Sequence, residues 1–217
     1  MNIGASEGPG RFFEDGQWRK DDAAQLLVRD GPIVEHFYSQ LQVKGWKFRQ
    51  VDDVATQKRG VDVMLTKIDP PWADQLITVE EKIVRSPGPK KDALKAFLFE
   101  DKIEYSDGRV GFSWARTCEA DRLLYAFCGE AGDIRVFWMN WPVIKAHFWE
   151  KYGKDHTFFP DWTSRQKHKL HCKLVPLSWV REVTAGDTAA CRMFYLSAKA
   201  IGEEHVEVVK AYNRSKY

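Results

Sequence analysis

No apolar run in the chain is long enough to cross a bilayer, which takes about 20 residues. Cysteine is scarce: the only four are Cys118, Cys128, Cys172 and Cys191, with no close-spaced pair among them. That spacing argues against a disulfide framework and a Cys-x-x-Cys zinc ribbon, and points to free thiols in a reducing compartment. The opening, MNIGASEGPG, lacks the charged and apolar regions of a secretory signal. Net charge is nearly absent as well, at +2 over 217 residues. Binding to a polyanion therefore needs a local basic stripe rather than a global field. There is no Gly-rich phosphate loop ending in Lys-Ser/Thr, no dinucleotide fingerprint and no Gly-x-Ser-x-Gly elbow. Internal repeats, low-complexity tracts and an interior linker are also missing. The expectation is a soluble, intracellular (cytoplasmic) protein with no membrane partner.

What the chain does have is aromatic mass: nine Trp, seven Tyr and thirteen Phe, 13% of all residues. That suits one well-filled core, and 217 residues fit one domain better than two. Residues 1–18 read as a mobile arm and 19–217 as a single domain, with a core at about 30–140 and a C-terminal elaboration at 141–217. Asp30-Gly31-Pro32 predicts a helix start with Asp30 as cap, and Gly45 its end. Strands are expected over Trp46 to Val51, Gly60 to Thr66 and Leu76 to Val84, then a helix from Lys90 to Phe99. Ser106-Asp107-Gly108-Arg109 signals a hairpin. Leu123 to Cys128 and Ile134 to Met139 read as two more strands, and Asn140 caps the helix that follows. Farther on, Phe158 to Leu170 reads as loop, His171 to Val180 as strand-like, and Thr188 to Ala200 as helix. The order predicts an α/β (α+β) three-layer sandwich, a central mixed β-sheet flanked by helices.

Two of these strands carry charge where apolar residues dominate. Asp62 lies within Arg59-Gly60-Val61-Asp62-Val63-Met64-Leu65, and Glu80 and Lys82 lie within Leu76 to Val84. Buried charge is costly without a partner. Side chains alternate along a strand, so Glu80 and Lys82 share a face, and the neighbouring strand can bring Asp62 alongside. Two carboxylates and an ammonium at one sheet edge suit a hard divalent cation and an activated water. The bland alternative is a charged edge strand that resists aggregation. A second Glu-x-Lys triplet, Glu100-Asp101-Lys102, reads as solvated charge at a helix end.

This arrangement resembles the PD-(D/E)xK nuclease superfamily, whose restriction-endonuclease-like core runs helix, three-stranded meander, helix, strand. The resemblance covers roughly residues 30 to 140. The run Gln57-Lys58-Arg59-Gly60-Val61-Asp62 resembles the Q-x-x-G-x-D variant of the first motif. The literal Pro before Asp62 is absent, and Arg122 departs from the family's usual entry into its later strand. The resemblance implies that Asp62 and Glu80 hold Mg²⁺ (or Mn²⁺), with the backbone carbonyl of Glu81 as a further ligand. Lys82 would orient the attacking water or stabilise charge on the phosphate. Gln57 would bridge water or substrate, and Glu35 would be the acidic residue of the first helix. A homodimer is a family-level expectation.

For substrate, Lys90, Lys91 and Lys95 after the third strand could face phosphates, and so could Arg165, Lys167, Lys169 and Lys173 in the densest basic run. The first group also reads as a solvated helix face, the second as a soluble loop over the core. His168, His171 and Cys172 invite a zinc reading but have no partner Cys-x-x-Cys. The expected activity is metal-dependent hydrolysis of phosphodiesters, in DNA. The alternatives are a non-catalytic binding or inhibitory protein on the same fold, and a ribonuclease with the same site.

Overall fold

Burial alternates along β1 (Trp46–Gln50) and through most of β2 (Val63–Lys67), which form an antiparallel meander with β3 (Leu76–Arg85). In this computed structural model the described residues are 23–57, 59–71, 73–85, 96–163, 169–184 and 190–214. β6 (Arg122–Cys128) lies parallel to β3, with Glu80 opposite Leu123 and Lys82 opposite Tyr125. β7 (Ile134–Asn140) and β10 (Cys191–Leu196) follow antiparallel, which gives a mixed six-stranded sheet in the order β1-β2-β3-β6-β7-β10. β6 is buried almost throughout because both faces of this central strand are covered.

One face is covered by helices. α1 spans residues 23–43, and α6 (Ala198–Arg214) is broken at Gly202. Val28, Ile33 and Phe37 from α1 pack with Leu124, Val136 and Val209 into one apolar cluster. The other face meets a second, antiparallel sheet of β4 (Ala96–Glu104), β5 (Val110–Phe112), β8 (Asp161–Thr163) and β9 (Lys169–Pro176), in the order β5-β4-β9-β8. Helices α4 (Trp141–Lys154) and α5 (Leu177–Val183) share that core. Phe99 sits at its centre, with ring centroids 5.6 Å from Trp114, 5.3 Å from Trp141 and 5.3 Å from Phe148. Because residues of both sheets share one cluster, the two sheets pack as one body. The fold is α+β, with a mixed sheet as expected. The layer opposite the helices, however, is chiefly β-sheet rather than helix.

Several expected elements are corrected. The helix predicted from Lys90 to Phe99 is strand from Ala96 onward, and residues 90–95 lie outside the described residues. Ala93, Leu94, Phe97 and Leu98 match a helical stripe, but Phe97 and Phe99 are buried with Leu98 less so, which is the strand period. The first helix does not start at Asp30. It runs through Pro32, and Arg29–Tyr38 is wound in wider π-type turns. Proline has no N–H to donate and clashes with the carbonyl four residues back; the wider winding accommodates it. Asp30 accepts instead from Arg29 Nε at 3.0 Å and from Gln50 Nε2 at 2.8 Å. Gly45 does end the helix, at φ 74°, where a Cβ would fall 1.6 Å from an Asp69 carboxylate oxygen. The region 158–170 contains β8 and the start of β9 rather than loop alone, and Leu177–Val183 is helix rather than strand. Residues 191–196 form β10 where helix was predicted. The hairpin at 106–109 stands, with Glu104 opposite Val110, and so does the Asn140 cap, whose Oδ1 accepts from Val143 N at 3.4 Å. The arm at 1–18 lies outside the described residues.

Candidate functional site

The site follows from register. Val63 pairs with Val79, so Asp62, one residue before β2, falls opposite Glu80. The Asp62 backbone is fixed at both ends: its N–H donates to Val79 O at 2.8 Å, and its carbonyl accepts from Val51 N at 2.9 Å. Its carboxylate accepts from Glu81 N at 2.8 Å and lies within hydrogen-bond reach of the Glu80 side chain. Gly60 lets the chain enter this position. Its φ is 70°, and a Cβ there would meet Cys118 Cα at 2.9 Å. A one-turn helix, α2 (Val54–Gln57), precedes it and is capped by Asp53 Oδ1, which accepts from Thr56 N at 2.8 Å.

Alternation along β3 puts Glu80 and Lys82 toward the second sheet and Glu81 toward α1. Glu80 is only 4% exposed and pairs directly with the Lys82 ammonium. Burial pushes the Glu80 carboxyl up to about 7. Lys82 pulls it back, and the nearby Asp62 charge adds to the rise. Burial alone would lower Lys82, but Glu80, Asp62 and Glu100 together hold it above the ordinary lysine range. The Lys82 ammonium also lies 5.2 Å from the Trp114 ring centroid. Glu100 is anchored on β4 by Ser113 Oγ at 2.9 Å. One ammonium is thus shared among three carboxylates, and this side of β3 carries excess negative charge. Asp62 is half-buried and Lys82 Nζ belongs to a side chain 25% exposed, so solvent reaches the pair from their side.

Glu81 faces the other way. Its Oε1 accepts from the buried Tyr38 hydroxyl at 2.7 Å, and burial pushes its carboxyl up to about 7 against that bond. Only its backbone is on hand for the Asp62–Glu80 pair. Burial, with Glu81 close by, holds the Tyr38 phenol far above its usual range, so it stays a donor. Cys118 is buried beside Gly60. Its thiol donates to Gly60 O at 3.4 Å and is pushed up to about 12, by burial and then by the Glu80 charge. It is no nucleophile.

The remaining predicted residues are dispersed. Gln57 Nε2 donates to Val51 O at 2.7 Å, so its side chain braces the approach to Asp62. Glu35 bonds His205 of α6 at 2.9 Å instead of joining Asp62 and Glu80. Lys169 reaches Glu104 at 3.4 Å on an exposed part of β9. Lys173 is a correction: its side chain is buried, paired with Asp161 at 2.7 Å and set 4.6 Å from the Tyr152 ring centroid, so its charge is used internally. Lys90, Lys91, Lys95, Arg165 and Lys167 lie outside the described residues. His171 pairs with Glu104, while Cys172, its neighbour on the strand, is buried, so these two form no zinc site. The sequence reading missed Glu100 and Tyr38, which reach β3 from elements distant in sequence. No helix among the described residues is long and apolar enough to cross a membrane.

No protein-family model, curated protein or solved structure matches the chain.

Proposed function

We propose that the chain is a metal-dependent nuclease acting on DNA, with a restriction-endonuclease-like core. The observation that carries this reading is the convergence of the Asp62 and Glu80 carboxyls on one face, with the Lys82 ammonium in contact. The helix, meander and parallel fourth strand (α1, β1 to β3, β6) also support it, although the described part of the crossover is mostly β-sheet with one short helical turn.

The donor set fits a hard cation. Mg²⁺ takes one or two protein carboxylates and keeps its waters. Burial is the main reason the Glu80 carboxyl is pushed up, the nearby Asp62 charge adds to it, and a cation between the two would relieve both. Asp62 and Glu80 would hold the ion, which when bound lowers the pKa of a water and offsets charge on the phosphate. Lys82 is charged at neutral pH and fixed by Glu80 and Trp114. It can therefore orient a water or place positive charge beside a phosphoryl oxygen. Gln57, Asp53 and Gly60 position Asp62 from behind.

The test is a cleavage panel of single-stranded, duplex and branched DNA and of RNA, with Mg²⁺ or Mn²⁺, alongside Asp62→Asn, Glu80→Gln and Lys82→Ala. Cleavage should stop with EDTA and fall about 10²–10³-fold or more in each variant. Full cleavage by all three variants would show that the site is misassigned. A chain that cleaves nothing and binds no Mn²⁺ would be a binding protein on this fold.

A further inference from the structure

We propose that Glu35, His36 and His205 form a second site, for a divalent transition metal of the zinc type, that ties α1 to α6. One ligand atom from each residue lies within 4.8 Å of the other two, the only such group among the described residues. The His205 ring nitrogen already meets Glu35 Oε2 at 2.9 Å, and the two imidazoles stand edge to face with centroids 5.4 Å apart.

A further observation sets this trio apart from an ordinary ion pair. Nε2 of His36 is buried and has no hydrogen-bond partner among the described residues. A ring nitrogen in that state lacks either a hydrogen-bond partner or a ligand. Local winding also contributes. Glu35 and His36 are adjacent in sequence, and in a regular α-helix adjacent side chains diverge too far to share a small ion. Here they lie within the π-type stretch Arg29–Tyr38, whose wider turns bring consecutive side chains closer in direction. Such turns often mark functional positions.

Chemistry selects the metal. Two imidazoles and one carboxylate suit zinc and its neighbours, whereas magnesium wants oxygen alone. Three protein ligands leave one position for water. Hydrogen bonding to His205 holds the Glu35 carboxyl below its usual range, so this ligand is ionised at neutral pH. The site is separate from the Asp62–Glu80 pair in both residues and ligand chemistry, and it does not depend on the nuclease reading.

The experiment titrates the metal-free full chain with Co²⁺ and then Zn²⁺, following visible absorption and the melting temperature. One equivalent of Co²⁺ should give a d–d band that Zn²⁺ displaces. Zn²⁺ at about 100 times its Kd should raise Tm by roughly 5–10 °C for a chain of this size. Both signals should disappear in His36→Ala and His205→Ala and persist in Asp62→Asn/Glu80→Gln. Glu35→Gln changes an exposed side chain and leaves the packing alone, so it should fold as wild type and bind at least about tenfold more weakly. Absence of both the band and the Tm shift in the wild-type chain overturns the proposal. So does binding that survives loss of both histidines, or binding lost with Asp62 and Glu80 instead.

Discussion

Replacing Glu80 by Gln should stabilise this protein in alkaline buffer while abolishing the nucleic-acid cleavage we propose for it. Gln has the shape of the protonated carboxyl but cannot ionise. Glu80 titrates at about 7 in the fold against an ordinary 4.5, chiefly because it is buried, with Lys82 opposing the rise and Asp62 adding to it. A carboxyl whose pKa is raised by folding contributes stability that is complete below its unfolded pKa and is lost as pH climbs through its folded pKa. The wild type therefore loses stability between about pH 4.5 and 7, by an amount near 3 kcal/mol at about 1.4 kcal/mol per tenfold in proton affinity. Glu80→Gln escapes that loss. Lys82 keeps Asp62 and Glu100 as partners, so the substitution does not strand its charge. Urea unfolding at pH 8 should show the variant more stable by about 3 kcal/mol, narrowing to under about 1 kcal/mol at pH 5, with unchanged denaturant slope. Added Mg²⁺ should close the gap at pH 8 by stabilising the wild type alone. A variant less stable than wild type at pH 8, or a gap that does not change with pH, would refute the electrostatic account of this site.

Three further outcomes follow from the same geometry. Mn²⁺ affinity should rise as pH rises through about 7, because the proton on Glu80 competes with the cation; calorimetry at pH 6 and 8 checks the direction. Tyr38→Phe removes the only hydrogen bond described for the buried Glu81 carboxyl and should cost about 1–3 kcal/mol, more at pH 8 than at pH 5, in the same urea assay. Asp101→Ala leaves Arg116, its partner on α3 (Trp114–Thr117), without its counter-charge. Arg116 is itself 34% exposed and stays solvated over the Trp149 ring, so the loss should be about 1.5–3 kcal/mol, read as a lowered thermal midpoint.

The parts of the fold legible in the sequence are those set by neighbours along the chain. The meander β1 to β3 shows its period of two, and the turn residues Gly45 and Gly108 stand where positive φ is required. The alternation that defines β3 also places Glu80 and Lys82 together, so the heart of the candidate site could be located before any fold was known. The rest is less local. β10 is an edge strand whose burial does not alternate, so periodicity carries no signal there. α1 contains a proline that ordinarily starts a helix, and only the tertiary packing of Ile33, Phe37 and Tyr38 shows that the chain winds through it.

The second Glu-x-Lys triplet shows where local reading fails. Residues 80–82 and 100–102 have similar letters, and composition offers no reason to treat them differently. The first reads as strand because Ile77, Val79 and Ile83 surround it; the second reads as a helix end because the residues before it also fit a helical stripe. Both are in strands of facing sheets. Asp101 is buried against Arg116, and Glu100 lies close enough for its charge to raise the Lys82 pKa. That proximity depends on which sheet β4 joins, a property fixed by pairing with β9 some seventy residues later. It also changes the chemistry. With Asp62 and Glu80 alone, Lys82 would neutralise half of the site. With Glu100 added, the ammonium faces three carboxyls, and once Glu80 ionises above about pH 7 the surplus negative charge favours a cation beside Asp62.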